Sequence, residues 1–531
     1  MKTSILRRLP VLFAALAGCD PPPSDDIASL QQELSSNQAT QLDFDFDAEL
    51  VTASTGVSPA KRIHDQLLYT TGHLNADNAV GRLDRLEITN VTSTREGDKT
   101  RVKYHAKLPV AWGQKTNLPT TYTFSLPIDV SAPALAAFAR KYGAKCVDVG
   151  ADDVDPGNLW YHFRPHARGC SIDPQDLVVT TATAVPSSSN TTGQYPEYDL
   201  VWNDGVLDVI AIFGKYEDGA ITASDAGIAA YDAFVRATKT QLATKGLVTE
   251  PPSIPYAPGV DMPDITFRAT MGEGRSVKIT ALLVDNVSTA GATFDARYEA
   301  LSPTADVIAY NGHTGQGQNI RALARRGRFV AGKYLIMFMN GSDTFAFLDD
   351  HLAQTRAVLN PDDPTGTKYM DIVTNAMPTY FASMPDATLG LLRGLLAYTT
   401  PKTYDQIFEA VDHSQVIVVT GEDDNAFRPQ PNLPSAWTGI DDTGTVARNE
   451  EKRTTAELIP GTYVFTLSGD HDADLYLRVG SAPTTTLYDC RPLKNGSSES
   501  CTVTLTTAQT VHVMVRGYAA RSTYRLVGSA Q

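Results

Sequence analysis

Two side chains with complementary chemistry each stand directly after an apolar run. His313 follows the run 307–310, and Ser342 follows the run 334–339. An imidazole is the commonest general base in proteins, and a hydroxyl within its hydrogen-bonding reach is a candidate nucleophile. The two residues therefore predict nucleophilic catalysis if the fold brings their side chains together.

Short apolar runs that stop abruptly in polar loops, with a helical segment between them, are typical of buried parallel strands in a βαβ unit. In open α/β sheets, sites form at the carboxyl ends of the strands. The sequence predicts a central α/β domain over 194–427 whose mostly parallel sheet carries both side chains to one edge. Its predicted strands are 199–202, 207–213, 277–284, 307–310, 334–339, 368–375 and 416–420, and its predicted helices are 222–245, 292–301, 319–326 and 384–396.

This region resembles the caspase/gingipain-like cysteine peptidases, most closely the gingipain branch, over residues 199–425. In that family one apolar strand ends in a His-Gly turn and a second ends in the catalytic Cys. Tyr310-Asn311-Gly312-His313 matches the first half, and Met337-Phe338-Met339-Asn340-Gly341 matches the second. The resemblance implies that His313 is the base and that residue 342 holds the nucleophile position. It also implies that the N–H of Thr314 helps to stabilise an oxyanion.

Two positions depart from the family pattern: Thr314 follows the histidine in place of Gly, and Ser342 stands in place of Cys. A thiol with a pKa of about 8.5 is readily converted to a thiolate by a neighbouring His. A serine hydroxyl needs concerted proton removal by a well-aligned base, and the caspase-type dyad has no third, orienting carboxylate. We expect a weakened or inactive peptidase. A working serine variant and a peptide- or protein-binding role without catalysis are the alternatives.

Four acidic residues follow Ser342 at the same predicted edge: Asp349, Asp350, Asp362 and Asp363. Acidic side chains near a specificity pocket favour a basic side chain in a bound peptide. The resemblance to the gingipain branch implies the same preference for Arg or Lys. A cation held by carboxylate oxygens and solvated loop charges are the alternatives.

The first residues have the pattern of an export signal, with a basic start before an apolar core at 10–17 that is too short to span a bilayer. Leu16-Ala17-Gly18-Cys19 resembles a bacterial lipobox, which implies a lipoprotein signal over 1–19 and a lipid on Cys19. A plain secretory signal is the alternative. Residues 20–41 are rich in Pro, Ser, Asp and Gln and are expected to form a flexible tether.

Composition and cysteine content narrow the class of protein. The chain has 531 residues and a formal net charge of −15, which suggests several domains and argues against a nucleic-acid partner. Of its five cysteines, four besides Cys19 form two sequence-close pairs. In an exported protein these predict the disulfides Cys146–Cys170 and Cys490–Cys501, which leave no thiol as nucleophile. Metal binding is the alternative, although neither pair has CxxC spacing.

Residues 42–185 are predicted to form an α+β domain rich in hairpins, followed by a polar linker at 187–193. We recognise no catalytic motif in this domain. Because gingipain-like enzymes carry amino-terminal domains, the resemblance implies a prodomain-like or partner-binding role. The predicted strands are 82–90, 100–109 and 120–128, with a turn at 95–98, and the predicted helices are 60–74 and 132–142.

Residues 443–531 have the pattern of an all-β domain, with short alternating runs between turn residues. The motifs at 461–465, 472–477, 511–515 and 522–526 resemble the prepeptidase C-terminal (PPC) domain, a β-sandwich found behind secreted bacterial peptidases. Asp470, Asp472 and Asp474 are candidate calcium ligands, as in some relatives, and turn residues of a hairpin are the alternative. We expect no other cofactor.

These features predict an exported multidomain lipoprotein of the bacterial cell envelope, held at the periplasmic face or the cell surface. Its expected partners are the membrane, through the lipid, and a peptide or protein at the edge of the central sheet.

Overall fold

The structure, a computed structural model, describes residues 33–53, 57–149, 151, 154–412, 414–421, 425, 427–429, 437, 439–505 and 508–530. The chain divides into two compact units, Met1–Phe427 and Arg428–Gln531. The predicted signal segment with Cys19 lies outside the described residues. The predicted domains 42–185 and 194–427 both fall within the first unit.

An antiparallel sheet with helices packed on it forms the amino-terminal layer of the first unit. The order of this sheet is β3-β5-β2-β7-β6, with β4 also paired to β5. Its core contains apolar side chains from β2, β5, α1 and α3. The elements are β1 (Leu34–Ser35), β2 (Thr40–Thr52), α1 (Pro59–Leu67), α2 (Tyr69–Asn75), β3 (Ala79–Gly81), β4 (Glu87–Glu96), β5 (Lys99–Trp112), β6 (Thr121–Pro127), α3 (Ala132–Tyr142), α4 (Leu159–His162), β7 (Leu177–Pro186) and β8 (Asn190–Thr191).

A second, larger sheet organises the rest of the first unit. Its order is β10-β11-β12-β9-β13-β14-β15-β16-β1-β8, and the pairings from β12 through β9, β13 and β14 to β15 are parallel. The elements are α5 (Tyr198–Val201), β9 (Val206–Gly214), α6 (Ala226–Leu242), β10 (Val248–Glu250), β11 (Asp264–Gly272), β12 (Arg275–Val284), α7 (Ala292–Leu301), β13 (Val307–Asn311), α8 (Gln318–Arg326), β14 (Leu335–Asn340), α9 (His351–Leu359), β15 (Met370–Asn375), α10 (Met384–Leu396), α11 (Tyr404–Phe408) and β16 (Ile417–Thr420).

The parallel strands are buried on both faces, which is why their sequences are continuously apolar. In β13, Val307 and Ala309 lie in the core on one face, and Ile308 and Tyr310 lie in the core on the other. Helices cover both faces: α6 and α10 pack on the first, and α7 and α8 pack on the second. Asp225 caps the amino terminus of helix α6, because its carboxylate accepts from the N–H groups of the first helical turn.

The flexible tether predicted at 20–41 is wrong for its described part, residues 33–41. Leu34 and Ser35 form β1, which pairs with β16 inside the larger sheet, and β2 begins at Thr40. Leu34 and Ala39 are buried in a core shared with Val418. The polar composition of the segment concealed two apolar residues that pack on the sheet, and 20–32 lie outside the described residues.

Two other expectations also differ from the structure. The polar linker predicted at 187–193 contains β8, which pairs in parallel with β1, and its Ser187 and Ser189 hydroxyls are buried against Gln41. The strand predicted at 199–202 is instead the short helix α5. A run of four residues is too short for its periodicity to distinguish helix from strand.

The second unit is a β-sandwich, as predicted. One sheet has the order β17-β23-β19-β21 and the other has the order β18-β22-β20, with an apolar core between them. The disulfide Cys490–Cys501 lies in this unit. The strands are β17 (Ile440–Ala447), β18 (Glu451–Leu458), β19 (Gly461–Ser468), β20 (Ala473–Val479), β21 (Glu499–Leu505), β22 (Gln509–Gly517) and β23 (Arg521–Ala530).

Among the described residues, no helix combines the length and the apolar character that crossing a bilayer requires.

Candidate functional site

His313 and Ser342 follow neighbouring parallel strands at corresponding positions. The last residue of β13, Asn311, is paired in register with the last residue of β14, Asn340. Each candidate residue stands two positions beyond its asparagine. The first parallel strand, β9, lies in the middle of the sheet, with β12 on one side and β13 on the other. The connections that follow β9 therefore run first to one side and then to the other, and ligands bind at such a switch point. His313 lies there, because it follows β13.

Three buried asparagines tie the carboxyl ends of β13, β14 and β15 together. The amide of Asn340 donates to Asn311 Oδ1 at 2.8 Å, and the amide of Asn375 donates to Asn340 Oδ1 at 2.8 Å. Each is the last residue of its strand and is fully buried. We refer to this row as the asparagine ladder. It fixes the strand ends that carry the candidate residues.

The Ser342 hydroxyl is bonded to the backbone of Thr379, in the loop after β15. Its Oγ accepts from the Thr379 N–H at 3.0 Å and donates to the Thr379 carbonyl oxygen at 3.3 Å. The side chain is partly buried. The Tyr161 side chain also interacts with Ser342, and among the described residues no hydrogen bond joins Oγ to a histidine.

The imidazole of His313 is bonded to the loop after β9. Its Nε2 lies 3.1 Å from the carbonyl oxygen of Tyr216, which can only accept, so Nε2 carries a proton and Nδ1 is the ring nitrogen left to act as acceptor. The His313 ring lies 5.1 Å from the ring centroid of Tyr216 and 5.1 Å from that of Phe381. The Tyr216 and Phe381 rings are themselves 5.6 Å apart. We call these three rings the aromatic triad.

The loops that carry His313 and Ser342 are hydrogen-bonded to each other, but the two side chains bind different partners. Thr314 Oγ1 donates to the carbonyl oxygen of Ser342, and the Gly312 N–H donates to the carbonyl oxygen of Asn340 at 3.2 Å. Among the described residues, no hydrogen bond joins the His313 imidazole to Ser342 Oγ. The loop that contains Thr379 and Phe381 contacts both candidate residues.

The residue after Ser342 is a buried carboxyl group that faces the amino-terminal layer. Asp343 is fully buried with φ 51°, and its Oδ2 accepts from the Asn75 amide at 3.1 Å. Tyr161 and Arg164 of the same layer lie in its electrostatic environment. Burial raises the pKa of Asp343 to about 7, against the opposing effects of Asn75, Tyr161 and Arg164.

The acidic residues expected to favour a basic ligand already have partners within the protein. Asp349 pairs with Arg321 at 2.6 Å, and Asp350 pairs with Arg85 at 2.6 Å. Asp362 pairs with Lys368 at 2.9 Å, and Asp363 accepts from backbone N–H groups of the following turn. These carboxylates therefore stabilise the protein's own loops. The pair between Arg85 and Asp350 also joins the amino-terminal layer to the larger sheet.

The candidate calcium ligands of the sandwich are also engaged. Asp470 accepts from the Thr523 N–H at 2.5 Å, Asp472 accepts from the Gly496 N–H at 3.1 Å, and Asp474 pairs with Arg491 at 2.9 Å. Within the described part of the chain, no three His, Cys, Asp or Glu side chains come together as a metal site would need. Asp470 and Asp472 lie in the turn before β20, whereas Asp474 is buried within β20 itself.

Both predicted disulfides are confirmed. Cys146 is bonded to Cys170 in the amino-terminal layer, and Cys490 is bonded to Cys501 in the sandwich. No thiol therefore remains among these four cysteines.

Three residues that contact the candidate site were not singled out from the sequence: Tyr216, Thr379 and Phe381. All of them lie just after the carboxyl ends of β9 or β15, two parallel strands of the larger sheet. Because sites form at the carboxyl ends of all parallel strands in such a sheet, the residues after β9 and β15 are candidates as well as those after β13 and β14. An asparagine at the end of three apolar runs was a further available signal.

The β-sandwich unit matches a known protein family. The model of the bacterial pre-peptidase C-terminal domain matches residues 460–517, which confirms the resemblance of this unit to PPC domains. Over 50 residues the chain is 54% identical to a virulence metalloprotease of Vibrio anguillarum, a match covering 9% of this chain and 8% of that protein. It is also 54% identical over 50 residues to alkaline serine exoprotease A of Vibrio alginolyticus, a match covering 9% of each.

The chain thus spans less than a tenth of the length of these two relatives. Among solved structures, the solution structure of "vEP C-ter 100" is 38% identical with a TM-score of 0.16, a likeness covering 18% of this chain and 96% of that one. Because one relative is named a metalloprotease and the other a serine exoprotease, the shared segment does not indicate a catalytic mechanism.

Proposed function

We propose that this chain is an exported, lipid-anchored protein of caspase/gingipain-like peptidase ancestry, with peptidase activity that is greatly weakened or lost. In this proposal the carboxyl edge of the larger sheet, around His313 and Ser342, binds peptide segments without cleaving them at an appreciable rate. The lipid on Cys19 holds the protein in the cell envelope.

The observation that carries the proposal is the bonding of the Ser342 hydroxyl. A nucleophilic serine needs a base on its proton and an open approach for the acyl carbon. Here Oγ is held by the Thr379 N–H, the Thr379 carbonyl oxygen and the Tyr161 side chain, and no hydrogen bond among the described residues directs it to His313. Activation would require these contacts to be broken before the base could act.

The surroundings of His313 support the same conclusion. Serine hydrolases orient the imidazole with a carboxylate that stabilises the positive charge formed during proton transfer. In this protein the Nε2 proton of His313 is directed to the carbonyl oxygen of Tyr216. A neutral carbonyl stabilises an imidazolium less than a carboxylate does. The histidine is therefore a poor base for an alcohol, although it would suffice for a more acidic thiol.

The same edge retains features that suit peptide binding. His313 is exposed, and with the proton on Nε2 its Nδ1 is the nitrogen that can accept from a peptide N–H. Tyr216 is 52% exposed, so the aromatic triad offers apolar surface to a ligand. A cleft at the switch point of a parallel sheet is a common place for ligands to bind.

Hydrolysis assays with the mature protein test the catalytic part of the proposal. We expect wild type and Ser342→Ala to release product from a mixed peptide library at the same background rate. A wild-type rate clearly above that of Ser342→Ala would overturn the proposal in favour of a working serine peptidase. His313→Ala serves as the matched control, because it should also be indistinguishable from wild type.

A gain-of-function variant tests the ancestry. Ser342→Cys introduces a thiol with a pKa near 8.5, which a weak base can ionise. We expect hydrolysis that disappears in the double variant Ser342→Cys/His313→Ala. Activity in Ser342→Cys that persists without His313 would show that the two residues do not share a catalytic site.

A further inference from the structure

The side chains of His313 and Ser342 are held by different parts of the first unit. The imidazole of His313 is hydrogen-bonded to Tyr216, in the loop after β9. The hydroxyl of Ser342 is hydrogen-bonded to Thr379, in the loop after β15, and to Tyr161 of the amino-terminal layer. The sheet has the order β9-β13-β14-β15, so these hydrogen bonds go to loops on opposite sides of the strand pair that carries the two residues.

Tyr161 belongs to helix α4 and contacts the nucleophile position from the amino-terminal layer. Its side chain is hydrogen-bonded to Ser342 and to the buried carboxyl group of Asp343. Burial raises the pKa of the Tyr161 phenol well above its usual value, so this hydroxyl stays neutral. Because a neutral phenol is not a base for an alcohol, the contact holds the Ser342 hydroxyl in place without activating it.

The backbone of α4 is fixed closely against helix α2. A Cβ atom at Gly72 would lie 2.5 Å from the carbonyl oxygen of Trp160 and 2.7 Å from that of Tyr161, so the two helices approach as closely as glycine permits. Arg164 Nη1 donates to the carbonyl oxygens of Gly72 and Tyr161, the latter at 3.1 Å. The position of Tyr161 is therefore set by the packing of two helices.

Further contacts attach the amino-terminal layer to the segment that follows Ser342. The ring of Trp160, which precedes Tyr161 in α4, lies 6.1 Å from the ring of Phe347. Before β4, the Arg85 guanidinium pairs with Asp350 at 2.6 Å. The layer and the segment after the nucleophile position therefore pack together at several points.

We infer that Tyr161 is a positioning residue through which the amino-terminal layer keeps the side chain at position 342 directed away from His313. This inference rests on the proposed function and names the contact that controls its nucleophile position. The loops that carry residues 313 and 342 are already joined, because Thr314 Oγ1 donates to the Ser342 carbonyl oxygen. Without the Tyr161 hydroxyl, the side chain at position 342 needs only a rotation about its Cα–Cβ bond to turn towards the imidazole.

Alkylation of an introduced thiol reports the direction of this side chain. The full-length Ser342→Cys protein reacts with iodoacetamide at pH 6 and at pH 8.5, and mass spectrometry of the peptide that contains residue 342 gives each rate. Only the thiolate reacts, so a thiol with an ordinary pKa of about 8.5 slows about a hundredfold between pH 8.5 and pH 6. A thiol beside an imidazole retains thiolate at pH 6 and slows much less.

Removal of the Tyr161 hydroxyl should flatten this pH dependence. We expect Ser342→Cys/Tyr161→Phe to slow by less than about tenfold between pH 8.5 and pH 6, and Ser342→Cys to slow by nearly the ordinary factor. The steep dependence should return when His313→Ala is added to the double variant. Identical profiles with and without the Tyr161 hydroxyl would overturn the inference, as would a flattened profile that persists without His313.

Tyr142→Phe is the matched control, because it removes another buried phenol hydroxyl of the same layer, which donates to Asp176 at 2.6 Å. Ser342→Cys/Tyr142→Phe should keep the alkylation profile of Ser342→Cys even where its urea midpoint falls. If this control flattens the profile as much as Tyr161→Phe does, general loosening of the layer is the cause and the role assigned to Tyr161 is wrong. Tyr161→Phe keeps the ring and its packing, so its variants should fold.

Hydrolysis of the mixed peptide library separates failure of the inference from failure of the proposed function. We expect Ser342→Cys/Tyr161→Phe to hydrolyse peptides at least about threefold faster than Ser342→Cys, because its thiol is better oriented to the base. Hydrolysis by Ser342→Cys that Tyr161→Phe does not raise contradicts only the positioning role. A flattened alkylation profile without hydrolysis in any of these variants supports the positioning role and contradicts the proposed peptidase ancestry.

Discussion

Asn311 and Asn340 are paired in register at the last positions of β13 and β14, and their side chains are hydrogen-bonded at 2.8 Å. Asn340 is the central member of the asparagine ladder, because it donates to Asn311 and accepts from Asn375. The loop that contains His313 begins after Asn311, and the loop that contains Ser342 begins after Asn340. The ladder therefore sets the spacing of the two loops independently of any catalytic contact between them.

Replacing Asn340 by Ala should destabilise the first unit by about 2–4 kcal/mol, because a buried polar group left unpaired costs about 1–3 kcal/mol and both neighbours lose a partner. Urea unfolding measures the change. Asn203→Ala, at an exposed position of the same unit, should change stability by less than about 0.5 kcal/mol. An Asn340→Ala effect as small as that of the control would contradict the structural role of the ladder.

Asp343 should make the stability of the first unit depend on pH. Burial raises its pKa to about 7 in the folded protein, whereas an unfolded Asp titrates near 3.9. Below about pH 4 both states hold the proton, and the protonated group contributes its full stability. As pH rises towards 7 only the folded state retains the proton, so stability falls, by an amount of order 2–4 kcal/mol.

Asp343→Asn removes this ionisation and keeps an oxygen for the Asn75 amide. We expect its advantage over wild type to grow between pH 4 and pH 7 and to stay constant above about pH 8. Urea midpoints of both proteins across this range measure the difference. Asp199→Asn, at an exposed position in α5, is the control and should show no such growth. A pH-independent difference for Asp343→Asn would mean that Asp343 is not buried as described.

Much of the larger sheet was predictable because its parallel strands are buried on both faces. Continuous apolar runs identified β9, β12, β13, β14 and β16, and helices α7 and α10 were predicted with the bounds that the structure has. The antiparallel strands β10 and β11 were missed, because β10 has only three residues and the two strands are separated by the proline-rich segment 251–263. The hydrophobic pattern of a short segment therefore predicts whether a strand is buried, but it does not predict the order of strands in the sheet.

The candidate site was predictable only as far as the backbone. The sequence gives the residues that follow each strand, and parallel pairing brings His313 and Ser342 to one edge. It does not give the direction of a hydroxyl, which is decided by the loop after β15 through Thr379. Nor does it give the partners of Asp349 and Asp350, since Arg321 and Arg85 come from distant segments that only the folded chain brings close.

The short strand β1 leads to a prediction that separates a strand from a tether. Leu34 is 1% exposed and packs with Ala39 and Val418. Leu34→Ala should therefore destabilise the first unit by about 2–4 kcal/mol, as large-to-small changes in cores do. Val248→Ala, at a position that is 64% exposed in β10, should have little effect. A Leu34→Ala protein as stable as wild type in urea would restore the tether interpretation for residues 33–41.

The opposite edge of the larger sheet contains a buried ion pair whose removal should be costly. Asp306 is fully buried before β13, where its carboxylate contacts the Lys333 ammonium and accepts from the Asp208 N–H at 2.8 Å. Burial raises the pKa of Asp306 to about 7, although Lys333 acts against this rise. Lys333→Met leaves the carboxyl group without its cation and should destabilise the unit by about 3–5 kcal/mol at pH 8.

The deficit of Lys333→Met should shrink at pH 5, because the carboxyl group is then protonated and needs no cation. The double variant Asp306→Asn/Lys333→Met should recover part of the loss at pH 8, since it leaves no buried charge. Lys368→Met breaks the exposed pair with Asp362 and should have no measurable effect at either pH. If the double variant is no more stable than Lys333→Met at pH 8, the unpaired charge is not the cause. Lost packing of the Lys333 side chain would then explain the deficit.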